Sequence, residues 1–268
     1  MFEVTRRLLR YRGLLATLVV RELKARYRGS VLGFFWSLVN PLLMLAVYSF
    51  VFTVIFKPRF AGADLDPYPL FLMTGLFPWI WVSTSMLEGS QSLMANAGLI
   101  RKAVFPAEIL PMIAVFANLV HFLLALPILA AGLAVGRYLG HPVAGWWSGA
   151  LPVVVVLEFF AVGGITLALA ALNVHFKDIR DILINVLSLL LYLTPILYPL
   201  QQLPRAGRWA VHWLNPFAPF ATAFQEVVFH GDPLRLGLVA HMVGWAIVLW
   251  ALGSWLFHRL SDNLVEAV

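Results

Sequence analysis

The residues able to do chemistry in this 268-residue chain are few and scattered. None of the four lysines, Lys24, Lys57, Lys102 and Lys177, follows a glycine, so there is no G-x-x-x-x-G-K-[ST] phosphate loop. The chain does not bind and hydrolyse ATP by that route. The seven histidines form no H-E-x-x-H pair, and there is no cysteine, so zinc sites, thiolate sites and disulfides are not expected. No G-x-S-x-G elbow is present. Glu158 is the one carboxylate inside a long apolar stretch. An ionisable group in such a place is a functional candidate by default, but a proton relay needs a chain of such groups. At about 1.5 Å per helical residue, Glu158 lies within about 12 Å of the end of its stretch. It reads better as a structural hydrogen-bonding partner reaching toward that end. No catalytic residue and no metal ligand is expected.

Other polar and aromatic residues recur at helical spacing. Thr74, Pro78, Trp81, Ser85, Glu88 and Ser92 follow steps of four and three, as do Asp181, Asn185, Ser188, Tyr192, Pro195 and Pro199. Each set falls on one helix face. Phe34, Tyr48 and Phe52 share a face of an earlier stretch, with Trp36 and Asn40 opposite. Such stripes either glue helices together or line a hydrated path. Tyr and Trp offer flat apolar faces with a polar tip. That lining suits sugar rings, whereas an inorganic ion calls for carbonyl cages or charged rings.

The elements that position these residues are six apolar stretches, 31–56, 70–87, 109–136, 149–174, 182–204 and 236–257. Each approaches or exceeds the roughly 20 residues of helix that cross a bilayer's hydrocarbon core. The composition agrees: 61% hydrophobic, 12% charged, mean hydropathy +0.86, against about 25% charged for a soluble domain. The expected fold is therefore all-α and polytopic, with six transmembrane helices. The net charge of +6 marks the cytoplasmic face and anionic lipid rather than nucleic acid. Thirteen Lys and Arg fall on the side that holds both termini and six on the other, which puts the termini in the cytoplasm. No cleavable signal peptide is evident, since the short uncharged run 13–20 leads into a basic one.

Residues 1–30 are expected as a cytoplasmic, interfacial amphipathic helix. Arg6, Arg10, Arg21, Lys24 and Arg28 sit on one face and Leu8, Tyr11, Leu15 and Leu18 on the other. Such a helix can anchor on anionic lipid, dock a partner, or do both. Gly29 suits a helix end and Ser30 a cap. The six-span domain occupies 31–257 and a short cytoplasmic tail 258–268. Gly163, Gly164, Ala168 and Ala171 allow close helix approach in the fourth stretch. The proline-rich region of about 200–234 is expected to form short re-entrant or interfacial helices on the outer side. Asn215-Pro216 is expected as a helix start there.

The stretch RELKARYRGSVLGFFWSLVNPLLMLAVYSFVFTVIFK (21–57) resembles the start of the membrane subunit of type-2 ABC exporters of polysaccharide, the Wzm-like family of O-antigen, capsule and teichoic-acid export. GLFPWIW (75–81), LIRKAVFPAEILP (99–111), NVHFKDIRD (173–181), TPILYP (194–199) and LNPF (214–217) follow in the matching order and cover most of the chain.

This resemblance implies a permease, not an enzyme: a homodimer in the bacterial inner membrane, paired with two separate ATP-binding cassette subunits. ATP and Mg would be bound by those partners, with no cofactor in this chain. The cargo it implies is a lipid-linked polysaccharide. The resemblance assigns ATPase coupling to Arg21, Glu22, Arg26 and Arg28 and to a loop containing Arg101, Lys102, Phe105 and Pro106. It assigns the lining of the translocation path to Phe34, Tyr48, Trp81 and Tyr192, to which the stripes add Phe52, Ser85, Asn185 and Ser188. The alternatives are a type-2 ABC exporter of a drug or small lipid, and a self-contained secondary transporter or intramembrane transferase.

Overall fold

A computed structural model describes residues 2–56, 65–102, 106–141, 143 and 149–261. Among these the fold is entirely helical. In chain order the helices are α1 (Phe2–Arg10), α2 (Arg12–Arg26), α3 (Trp36–Phe50), α4 (Tyr68–Ala95), α5 (Ala97–Lys102), α6 (Ile109–Tyr138), α7 (Leu151–His175), α8 (Ile179–Leu193), α9 (Arg205–Leu214), α10 (Ala218–Phe224) and α11 (Leu236–Ser261). α3 runs on through a wider π-turn, Val51–Phe56, and α10 through another, Gln225–His230. Five helices are long and apolar enough to cross a membrane: α3 with its extension, α4, α6, α7 and α11. The protein is a multi-pass membrane protein.

α4 forms the hub. It packs on α6 and α7, and Phe71, Leu72, Met73, Trp81 and Leu93 on it are almost wholly enclosed. α7 and α11 are the most closely packed pair. The small residues expected to permit this are where they touch. A Cβ on Gly253 would lie 1.8 Å from the Gly164 carbonyl oxygen, and one on Gly164 2.3 Å from that of Leu249. Only a hydrogen fits at either position.

The N-terminal segment is two helices, broken at Tyr11, rather than one. α1 is strongly amphipathic, whereas α2 spreads its basic residues around its circumference. α2 instead turns Leu15 and Leu18 into the protein and lies along α6. α2 ends at Arg26, three residues before the expected Gly29, which adopts φ +80 in the turn that follows, and the Ser30 hydroxyl accepts a hydrogen bond from the Gly33 N–H at 3.3 Å.

The fifth apolar stretch begins as a 15-residue helix, α8, and stops at Leu193. At about 1.5 Å per residue this is about 22 Å, short of an approximately 30 Å hydrocarbon core. Pro195 and Pro199 prevent its continuation, because neither has an N–H to give. The chain then runs through Thr194 and Ile196, both fully enclosed. Three carbonyls released by the break find side-chain donors. Asn215 Nδ2 reaches Leu193 O at 3.3 Å, Gln225 Nε2 reaches Pro195 O at 2.7 Å, and the Tyr68 hydroxyl reaches Leu197 O at 2.7 Å. The irregular backbone is thereby buried with these carbonyls paired.

Asn215 has a second task. Its Oδ1 accepts from the Phe217 N–H at 2.9 Å, so the helix starts at Ala218, two residues after Pro216. α10 is buried among α4, α7 and α11, while α9 exposes Trp209 and Trp213. α11 continues to Ser261, and the rest of the expected tail lies outside the described residues.

Candidate functional site

The end of the bundle that carries α1 and α2 holds a connected set of charged and polar side chains. Arg26, at the end of α2, places Nη2 2.5 Å from Glu88 Oε2 on α4 and Nη1 2.8 Å from Asn118 Oδ1 on α6. Asn118 Nδ2 closes the triangle by donating to the same Glu88 oxygen at 2.7 Å. Arg26 Nε also faces Glu22 Oε1 at 3.4 Å, one turn earlier on α2. A guanidinium's fixed fork suits such a junction, because it can donate to several acceptors at once. Three helices are thereby pinned at one point. Beside it the Tyr27 hydroxyl meets the His121 ring at 3.1 Å, and burial pushes the Tyr27 phenol up.

α1 makes a second junction. Arg7 lies 3.4 Å from Glu108, whose side chain is almost enclosed just before α6, and 2.6 Å from Glu3. Trp250 on α11 donates to the Thr5 hydroxyl at 3.1 Å. Glu108 belongs to the segment linking α4 to α6, so α1 grips that segment directly.

Above the Arg26 junction lies a cavity of about 470 Å³ bounded by α2, α3, α4 and α6. Trp36, Asn40, Trp81, Thr84 and His121 contribute to its wall. Trp81 stacks on Phe122 with ring centroids 5.4 Å apart and donates its indole N–H to Val115 O at 3.2 Å.

The expected path-lining residues separate into groups. Trp81 and Ser85 are enclosed within the subunit. Tyr48 and Phe52 stack at 6.0 Å and are half-buried, with Phe52 packed edge-on to Tyr68. Asn185, Ser188 and Tyr192 are exposed along α8. The Asn185 amide bonds the Asp181 carbonyl and the Ser188 hydroxyl the Ile184 carbonyl, both at 2.8 Å, so these polar groups are satisfied by their own helix. The most apolar part of α3 buries no residue at all. Among the expected coupling residues, Glu22 and Arg26 join the junction, Arg21 and Arg28 are exposed, and Pro106 is half-buried. Phe105 and the side chains of Phe34, Arg101 and Lys102 lie outside the described residues.

Sequence reading did not single out Arg7, Glu108 or Asn118. The available signals were an amide inside an apolar stretch and a carboxylate in the FPAEILP segment. Glu158 is enclosed on α7, and its Oε2 has no hydrogen-bond partner. Among the described residues no group of three His, Asp or Glu is placed to hold a metal ion.

A bundle of membrane-crossing helices, with a basic helical lead clamped to α4 and α6, is the architecture of a multi-pass membrane protein. The family model for the ABC-2 type transporter matches residues 13–229, and the chain belongs to that family. It is 37% identical over 271 residues to the O-antigen export system permease protein RfbA of Myxococcus xanthus, covering the whole of both chains. It is 31% identical over 253 residues to RfbA of Klebsiella pneumoniae, covering 94% of each. The polysialic acid transport protein KpsM of Escherichia coli is 24% identical over 221 residues, 80% of each chain.

Proposed function

We propose that this chain is the membrane subunit of an ATP-driven exporter that moves lipid-linked polysaccharide, O-antigen or a related surface glycan, across the bacterial inner membrane. The observation that carries this reading is the similarity, over its whole length, to a relative named as an O-antigen export permease. Six crossings complete the subunit, with α8 and the irregular segment after it forming the fifth. Both termini lie in the cytoplasm, in keeping with the bias of basic residues to that side.

Two copies pair through α3 and α8. The support is the large apolar area those helices leave uncovered: Val47, Phe50 and Ile55 on α3, and Ile182, Leu189 and Tyr192 on α8. Separate ATP-binding subunits, which carry the ATP and Mg, press on the α1–α2 lead and on the segment from α5 to Pro106. The Arg26 and Arg7 junctions pass that motion to α4 and α6. The paired α3 and α8 helices part, and the polymer slides over weakly binding aromatic rings. A tight site would stall a long chain.

Deleting the gene and analysing the surface glycan tests the reading. Loss of surface polysaccharide, with lipid-linked polymer accumulating inside and rescue by the intact gene, is expected. An unchanged surface glycan would overturn it.

A further inference from the structure

The cavity between α2, α3, α4 and α6 is walled by residues of one subunit and opens beside Leu43 and Met44 of α3, and α8 takes no part in it. We propose that it is a binding site for an uncharged sugar ring carried on a lipid tail. The source of that sugar rests on the export reading; the chemistry of the site does not.

Size comes first. At about 470 Å³ the cavity falls within the roughly 300–1,000 Å³ typical of small-ligand pockets. Its wall then selects a chemistry. Trp36, with Tyr27 and His121 beside it, supplies aromatic surface, while Asn40, Thr84 and Glu88 supply polar groups. A sugar presents C–H faces that pack on aromatic rings and hydroxyls that must find hydrogen-bond partners once out of water.

Charge narrows the choice further. The cationic group in the wall whose contacts are described, Arg26, is already paired with Glu88 and lies close to Glu22. A phosphate entering here would meet a carboxylate with no surplus positive charge to offset it. A neutral polyol meets no such penalty.

The mouth supplies the last constraint. Leu43, Met44 and Trp36 belong both to the cavity wall and to the exposed flank of α3. The opening therefore has an apolar rim on its α3 side, with Arg26 and the partly exposed Glu88 at its polar end. A ligand whose headgroup enters while its hydrocarbon tail stays on the apolar flank fits this arrangement.

The test uses the full chain in phosphatidylcholine nanodiscs and a photoreactive alkyl maltoside with a diazirine next to the glycosidic bond. The control carries the same diazirine chain on a phosphocholine headgroup. Labelling by the maltoside alone is expected within 36–44 and 118–125, falling about tenfold in Asn40→Leu and Ala125→Phe. Thermal melting checks that each variant is folded. Asn40 is exposed on α3, so Asn40→Leu decides the matter if the larger residue at 125 prevents folding. Equal labelling by both headgroups, or labelling unmoved by a folded variant, overturns the proposal.

Competition assigns the source. Lipid-linked glycan extracted from the producing cells should displace the probe if cargo is the ligand, and a glucosyl diacylglycerol if a resident glycolipid is. Displacement by neither overturns the site. Failure here is distinct from failure of the export reading. Absent labelling alongside surface glycan lost on gene deletion sinks the cavity proposal alone. Labelling with surface glycan intact sinks the export reading alone.

Discussion

At the residue scale the Arg26 junction is the feature with the clearest consequence. Arg26 is 23% exposed and Glu88 43%, so solvent screens much of their attraction. Its worth lies in geometry, since one guanidinium spans two other helices. Arg26→Met with Glu88→Gln in a double-mutant cycle is expected to give a coupling of about 1 kcal/mol in thermal unfolding of the purified chain. The same Arg26→Met should lower export well beyond that small cost if the proposed coupling of α2 to α4 and α6 runs through this junction. Export that stays at the wild-type level in Arg26→Met cells would discredit the transmission role. A second residue-scale test concerns Glu226, in the turn after α10. Its Oε2 is enclosed without a partner, and Arg235 stands 3.9 Å away. Burial raises its carboxyl above the ordinary value, Arg235 opposes that shift, and Asp232 adds to it. A raised carboxyl contributes stability while protonated, below its unfolded-state value, and that contribution is lost as pH rises through the folded value. Glu226→Gln should therefore melt higher than wild type at pH 8, with the advantage shrinking as the pH is lowered through the carboxyl range. Parallel melting curves at each pH check it.

At the scale of elements, two contacts decide whether the helices can assemble. The α7–α11 crossing leaves no volume for a methyl group at Gly253. Gly253→Ala is expected to destabilise by about 1–3 kcal/mol, the usual range for overpacking, or to prevent accumulation of the protein. Gly244, on the same helix with open space where a Cβ would lie, is the matched control. There alanine should be neutral or stabilising by about 0.5–1 kcal/mol. The break after α8 depends on Gln225 in a comparable way. Gln225→Leu leaves the Pro195 carbonyl without that donor and should cost about 1–3 kcal/mol in unfolding measurements. Much of this scale was legible in the residues. α6 and α7 begin and end within two residues of the apolar stretches at 109–136 and 149–174, because hydrocarbon length and flanking polar residues set both limits. The close approach at Gly164 was legible for the same kind of reason, since absence of a side chain can be read directly. What each polar stripe faces was not legible. Periodicity puts Trp81 with Ser85 and Asn185 with Ser188, but the first pair is enclosed on the central helix and the second exposed on a peripheral one. That depends on which helices are neighbours. The Arg26 junction was hidden for a related reason: its partners are 62 and 92 residues away.

At the scale of the whole molecule, apolar area is distributed unevenly. α4 and α6 are largely enclosed, while α3 and α8 keep bulky apolar side chains outside. Lipid can cover such faces without cost, so exposure by itself does not demand a partner. One feature fits the proposed second copy. α8 is too short to cross a bilayer as a helix and leads into buried irregular backbone, an arrangement better suited to protein contact than to lipid. A chain without cysteine makes the pairing simple to test, because any introduced thiol reports alone. Val47→Cys on α3 and Tyr192→Cys on α8 replace residues that are 57% and 64% exposed, so neither should disturb the fold. In native membranes, mild oxidation of cells co-expressing the two variants should give a covalent dimer that reducing agent dissolves. A control cysteine at Val153, exposed on α7 away from the proposed seam, should stay monomeric. The partner ATPase adds the functional arm: cross-links across the seam should halt export while leaving nucleotide hydrolysis measurable, since a closed seam blocks passage and not the motor. Dimers formed equally through Val153→Cys, or export undiminished by a seam cross-link, would place the path somewhere other than between α3 and α8.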